Sequence, residues 1–278
     1  MKPRRNRENP GSRTQASGVP ISRQGTGAGR FVLSLLALAV LFGLWLLAAA
    51  LIDAVIILPP PQHVATELFQ LAGSGEFWRS VGTTFLRGIC GFLISLATGV
   101  AVGVAAGVSL PVHALFKPLI AVIRTTPVMS VVLIALLWFK TGTVPVFSTF
   151  LIAFPVITQN IIIGIRQTDP NLLEMGKVYG LSTRRRILLI SAPSVVPYLI
   201  SGAQTALGLT WKVVVAAEVL SIPTFGVGSG MQLAQMSLET AQVFAWTAVA
   251  IILSGFSQWL FSLITNRMPW SARYADSM

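Results

Sequence analysis

Asp169-Pro170-Asn171-Leu172-Leu173-Glu174-Met175-Gly176-Lys177-Val178-Tyr179-Gly180, continuing Leu181-Ser182-Thr183-Arg184-Arg185-Arg186, is a polar interruption in a chain made otherwise of long apolar runs. It reads as a helix start, a helix stop and a second, basic helix start. Asp169 suits the N-cap and Pro170 the first helical position, where no N–H is needed. Leu172, Met175 and Tyr179 fall at i, i+3 and i+7, giving a short helix one apolar stripe, and Gly180 supplies the left-handed residue that ends it. Two roles suit such a helix on an exposed loop: docking to another protein, or lying flat among lipid headgroups.

The flanks show what this elbow interrupts. Of 278 residues, 54% are hydrophobic and only 10% charged, whereas a soluble domain carries about a quarter charged residues. The chain is therefore a membrane protein. Its net charge of +11 does not point to nucleic acid, because the basic residues sit in loops between apolar runs, as membrane orientation and contact with anionic lipid require. Cys90 is the single cysteine, which excludes a disulfide scaffold and a cysteine metal site.

Outward from the elbow, apolar runs predict spans over 31–52, 80–108, 119–139, 146–165, 187–211 and 241–264, each near the ~20 residues needed to cross a bilayer. Residues 1–30, with seven Lys or Arg and little to bury, read as a disordered basic tail before an uncleaved first span. The remaining 31–278 form one transmembrane domain with its core at 80–265 and the elbow at 169–186. Residues 64–72 suggest a short helix. Gly99, Gly103 and Gly107, four apart on one face of the second span, invite close approach of another helix. Leu110-Pro111 should end that span, leaving His113 and Lys117 in a connection. Arg124-Thr125-Thr126-Pro127 predicts a kink in the third span and Pro155 one in the fourth. Glu218, Pro223, Gly226, Gly228 and Gly230 argue against a plain spanning helix over 213–240. Six spans place both termini on one side, and the tail, Lys117, Arg166, Lys177, Arg184, Arg185, Arg186, Arg267 and Arg273 make that side cytoplasmic.

Enzymatic chemistry finds no support. There is no phosphate-cradling P-loop, no His-Glu-x-x-His metal motif and no nucleophilic triad; Gly25-Thr26-Gly27-Ala28-Gly29 lacks strand and helix context, and His63 and His113 are isolated. No catalytic residue, metal ligand or cofactor site is expected. Charges inside apolar runs are the functional suspects. Arg87 and Lys212 read as snorkelling to the headgroups. Arg124, beside a proline, either bonds a neighbouring helix or lines a pathway. Glu218 reads as a paired internal charge, with Lys212 or Arg124 as partner. Trp138 and Trp211 are further candidates for lining a pathway.

The elbow resembles the loop of permease subunits of ABC importers, in which Glu-Ala-Ala is followed by glycine, an apolar residue and Leu-Pro. Here Glu174, Met175, Gly176, Gly180, Ile190, Ala192 and Pro193 keep that spacing, with both alanines and the leucine replaced. Leu58-Pro59, Phe77-Trp78, Arg124 with Pro127, Leu137-Trp138-Phe139, Asp169-Pro170, Ala216-Ala217-Glu218 and Gly226-Val227-Gly228 extend the resemblance to the permeases of the aliphatic sulfonate, taurine and nitrate group, which also includes carriers of thiamine-precursor pyrimidines. Lys140 departs from that group's glycine after Trp-Phe.

The resemblance implies an all-α membrane protein of about six transmembrane helices in the bacterial inner membrane, with a cytoplasmic coupling helix. It implies that Leu172, Glu174, Met175, Tyr179 and Gly180 dock on a separate ATP-binding cassette subunit, which binds the ATP. It also implies a second permease copy, as a homodimer, and an extracytoplasmic substrate-binding protein. For Glu174 the plainer reading is an i,i+3 pair with Lys177. A stand-alone channel or ion-coupled carrier gated by Arg124 and Glu218, and a docking scaffold, are the alternatives.

Overall fold

In a computed structural model, residues 27–267 are described. Residues 1–26 of the expected tail, and Arg273, lie outside them. Every regular element among the described residues is helical. Two compact units divide the chain near Leu47.

The first unit is essentially α1, Gly27–Ile52, which starts inside the stretch expected to be tail. From Val32 to Leu44 its side chains are exposed and almost all apolar, Leu33, Leu36, Leu38 and Leu41 among them. A helix hydrophobic all round suits a lipid-facing span.

The second unit contains α2 (Pro61–Ala72), α3 (Gly75–Val108), α4 (Leu110–Thr125), α5 (Val128–Trp138), α6 (Val144–Arg166), α7 (Pro170–Val178), α8 (Thr183–Arg186), a π turn at Ile187–Ser191, α9 (Ala192–Ser221), α10 (Val227–Met236) and α11 (Thr240–Asn266). Its centre is α3 against α6. A side chain at Gly91 would put Cβ 2.8 Å from Thr149 Cβ, at Gly99 3.0 Å from Ile157 Cβ, at Gly103 2.8 Å from Ile161 Cβ and at Gly107 2.6 Å from Ile165 Cδ1. The predicted glycine stripe thus lets the two backbones close up, and Ser95 continues it by donating to the Phe150 carbonyl at 3.1 Å. The four glycine pairs have the same sequence separation, so α3 and α6 run parallel. On α6's other face the order reverses: Gly164 meets Tyr198 and Gly202 meets Asn160, so α9 is antiparallel to both.

Parallel neighbours dictate the path between them. The chain leaves α3 at Val108 and starts α6 beside α3's other end, where Gly142 approaches Arg87. The intervening α4 and α5 must cover that length. They do so with a bend of 101°, a break where only a kink was predicted, because Pro127 lacks an N–H and holds Thr126 extended. Among the described residues five helices are long and apolar enough to cross a membrane, six if the bent pair counts as one. His113 and Lys117, expected in a connection, lie within α4, which Pro111 starts. Pro155 leaves α6 unbroken.

The fifth span runs on past its expected end near Trp211, and α9 reaches Ser221. The irregular stretch shrinks to 222–226 plus the short α10. Ile222, at φ 42°, is a β-branched residue in the left-handed region, and Pro223 prevents the helix from continuing. The π turn at 187–191 also has a local cause: the Ala192 N–H bonds back to the Ile187 carbonyl, widening the turn just before Pro193, which has no N–H to give.

Candidate functional site

The elbow forms as its sequence predicts. Asp169 accepts the Asn171 N–H at 2.8 Å, capping α7. At the other end the Leu181 N–H bonds the Gly176 carbonyl at 2.9 Å and the Gly180 N–H bonds that of Lys177 at 3.0 Å. With Gly180 at φ 69°, this is a Schellman stop. Gly176 has a packing reason. A Cβ there would lie 3.0 Å from Ile190 Cδ1 and 3.2 Å from Arg186 Cγ, so the glycine seats α7 on the basic start of the following helical run. Tyr198 donates to Gln167, joining the ends of α6 and α9 that frame the elbow.

That packing uses one face of α7 and leaves the other open. Leu172, Met175, Val178 and Tyr179 are exposed, Tyr179 by 77%. Glu174 is also exposed, and no ion pair joins it to Lys177. Three large apolar side chains on the nine-residue helix and one at its C-cap form an exposed apolar patch.

Glu218 marks a second constellation, at the other end of α9. Its carboxylate is 0% exposed. Thr84 donates to it, with Oγ1 at 2.9 and 2.8 Å from the two oxygens. Arg87 Nη1 donates at 2.6 Å and the Gly228 N–H at 3.1 Å. Thr84 Oγ1 in turn accepts the Val227 N–H at 2.9 Å, and Arg87 also donates to the Phe225 carbonyl at 2.7 Å. A side chain at Gly226 would lie 2.8 Å from Glu218 Cδ. The carboxylate therefore caps the N-terminus of α10 and pins the 222–226 break to α3. Arg87–Glu218 is the one ion pair among the described residues. The Lys212 and Arg124 partnerships expected for Glu218 are not formed, and Arg87 is not snorkelling: burial of an unpaired carboxylate is so unfavourable that the nearest guanidinium is drawn inward. Thr84 and Arg87 went unidentified as partners. Their i,i+3 spacing on α3 was the only signal.

The pathway candidates do not converge. Arg124 and Trp138 are exposed at the ends of α4 and α5. Trp211 is buried, stacked on Phe85 with centroids 5.9 Å apart, and borders a groove of about 630 Å³ with Lys212, Met129, Met231 and Gln258. Among the described residues no group of His, Cys, Asp and Glu is arranged to hold a metal ion.

With this geometry in place, similarity to known proteins becomes specific. The family described as "Binding-protein-dependent transport system inner membrane component" matches residues 99–269, from Gly99 through the elbow and past Glu218. The taurine transport system permease protein TauC of Escherichia coli (strain K12) is 27% identical over 90% of this chain and 92% of its own. SsuC of the same strain, named for aliphatic sulfonates transport, is 34% identical over 71% of this chain and 73% of its own. The bicarbonate transport system permease protein CmpB of Synechococcus elongatus is 27% identical over 70% of this chain and 71% of its own. In fold, the chain resembles a solved amino acid ABC transporter chain, with a TM-score of 0.59 at 15% identity over 72% of this chain and 98% of that one. The chain thus belongs to the family of binding-protein-dependent transport system inner membrane components, and is a multi-pass ABC transporter permease.

Proposed function

We propose that this chain is the pathway-forming subunit of an ATP-driven importer and that α7 docks on a separate ATP-binding subunit. The observation that carries this reading is the open face of Leu172, Met175, Val178 and Tyr179 on α7 and its C-cap, held between two spanning helices. Charge supports its sidedness. Arg166, Lys177, Arg184, Arg185 and Arg186 surround the elbow, Lys117 lies within α4, which follows the elbow-side end of α3, and Arg267 follows the end of α11. The opposite end keeps Arg79, Lys140 and Lys212. By the positive-inside rule the elbow is cytoplasmic. With the bent α4–α5 pair as one crossing there are six spans, and both termini are cytoplasmic. ATP binds and is hydrolysed on the partner; two copies of this chain enclose the pathway, and an extracytoplasmic binding protein delivers the solute. The relatives are named for taurine, aliphatic sulfonates and bicarbonate, which supports a small solute bearing a sulfonate or related oxyanion; nitrate and a thiamine-precursor pyrimidine are the other members of the set to assay. The channel or carrier alternative needs Arg124 and Glu218 to act as a gate, and Glu218 is instead satisfied by Arg87, Thr84 and Gly228.

The test places one thiol on the elbow. In a Cys90→Ser background, Met175→Cys should cross-link to the co-expressed ATP-binding subunit encoded nearby. Tyr179→Asp should lower ATP-dependent solute uptake at least about tenfold, the loss of roughly 1.4 kcal/mol of docking. No cross-link, together with uptake that persists without ATP, would sink the proposal.

A further inference from the structure

The groove of about 630 Å³ between α5, α9, α10 and α11 has a polar end and an apolar end. Lys212, Val215, Ala216 and Val219 fall at i, i+3, i+4 and i+7 and make its α9 wall. Lys212 is exposed and is the only charged residue in the lining, and it forms no ion pair among the described residues. Arg87, the other cation expected to snorkel, has its carboxylate. Across the groove, α11 brings polar groups to the same end. Gln258 Nε2 lies 4.0 Å from a Cβ placed at Gly208, one turn before Lys212 on the same face of α9, and it donates to Ser254 Oγ at 3.2 Å. Accepting that bond leaves the Ser254 O–H to be given. Away from this cluster the walls are Val219, Met231 and Ile251. Gly255 lines the groove from α11, and a Cβ there would meet nothing within 4 Å. The stripe glycines of α3 are explained by the helix against them; Gly255 is explained by no protein atom and widens the groove beside the polar end.

We propose that Lys212 holds the anionic head of the transported solute in this groove, and that the other end of that solute is a short apolar tail. The inference deepens the transporter reading and rests on it only in calling the ligand the solute. The ammonium supplies charge, Gln258 and Ser254 supply directed N–H and O–H donors to the same head, and the tail lies along Val219, Met231 and Ile251. Charge and shape narrow the set of solutes. A bare oxyanion such as bicarbonate or nitrate leaves the apolar end unfilled. Taurine brings an ammonium of its own into a groove whose lining holds no carboxylate to receive it. An alkyl monoanion satisfies both ends.

The full chain in lipid nanodiscs, carrying Cys90→Ser and Gly255→Cys, tests this without ATP or uptake, so failure leaves the transporter reading standing. The new side chain enters open space. The anionic sulfonatoethyl methanethiosulfonate should label the thiol at least about tenfold faster than the cationic aminoethyl reagent, after correction for intrinsic reactivity, as expected beside an unpaired ammonium. Lys212→Gln should bring the ratio near one, and Lys212→Arg should keep it. Pentanesulfonate should slow labelling at concentrations at least about tenfold below those needed of methanesulfonate, because each buried methylene adds to affinity. Taurine, bicarbonate and pentylammonium should protect no better than methanesulfonate, and Lys212→Gln should abolish the protection by pentanesulfonate. If Gly255→Cys does not fold, Thr247→Cys, exposed on the same stripe of α11, reads the same groove. A lysine that only snorkels would give the charge preference without protection by pentanesulfonate, and that result would overturn the site. So would no labelling by either reagent, a ratio unchanged in Lys212→Gln, or protection by methanesulfonate, taurine or pentylammonium as strong as that by pentanesulfonate.

Discussion

Glu218 shows how one residue gains its meaning from contacts far away in sequence. Its apolar surroundings make it a paired internal charge on sequence grounds alone, but its partner stands on α3, 131 positions away, and no helical spacing rule reaches that far. Arg87 was misread for the same reason. An arginine in an apolar run snorkels when the only alternative is lipid, and the alternative here is a buried carboxylate. Arg87→Met should destabilise the protein by about 3–5 kcal/mol by stranding that carboxylate. Thr84→Val should cost about 1 kcal/mol. In a double-mutant cycle measured by SDS unfolding, Arg87→Met with Glu218→Leu should recover part of the single-mutant loss. Additive losses would mean that the pair is not coupled.

Among the elements, α7 was the most legible, because everything that makes it is local: an Asp cap, a first-turn proline, a three-and-four stripe and a glycine stop. Gly176 was the exception. It looks like a weakness in a short helix and is the contact that seats the elbow on Arg186 and Ile190. The glycines of α3 were legible as a stripe but not as a direction, since four-residue spacing says nothing about which helix approaches or whether it runs parallel. Two substitutions in one helix separate packing from propensity. Gly82 has no atom within 4 Å of its would-be Cβ, so Gly82→Ala should stabilise by up to about 1 kcal/mol. Gly103→Ala, pressed against Ile161, should destabilise by about 1–3 kcal/mol. SDS unfolding midpoints moving in the same direction would count against the α3–α6 packing. The ends of α4, α5 and α9 were poorly read because proline breaks and kinks have the same sequence signature; tertiary contacts select between them.

At the scale of the molecule, composition settles the class, the loop charges support the proposed sidedness, and the path comes from parallel α3 and α6. That pairing forces the chain back across through α4 and α5, so the 140–143 turn and the elbow emerge at opposite ends. In a Cys90→Ser background, Lys140→Cys should react with an impermeant thiol reagent in intact spheroplasts, and Lys177→Cys only after permeabilisation. Reaction of both from one side would refute this topology.

One consequence lies in the helical run from Thr183 to Ser221. Its 39 residues make a rod of about 58 Å, with the elbow seated at one end and the Glu218 clasp closed at the other. A tilt of only about 5° at the elbow end swings the far tip by about 5 Å over that length, enough to carry Glu218 out of reach of Arg87. The π turn at 187–191 is the one place along the rod with a widened helical turn, and under the proposed docking any push at the elbow would pass through it.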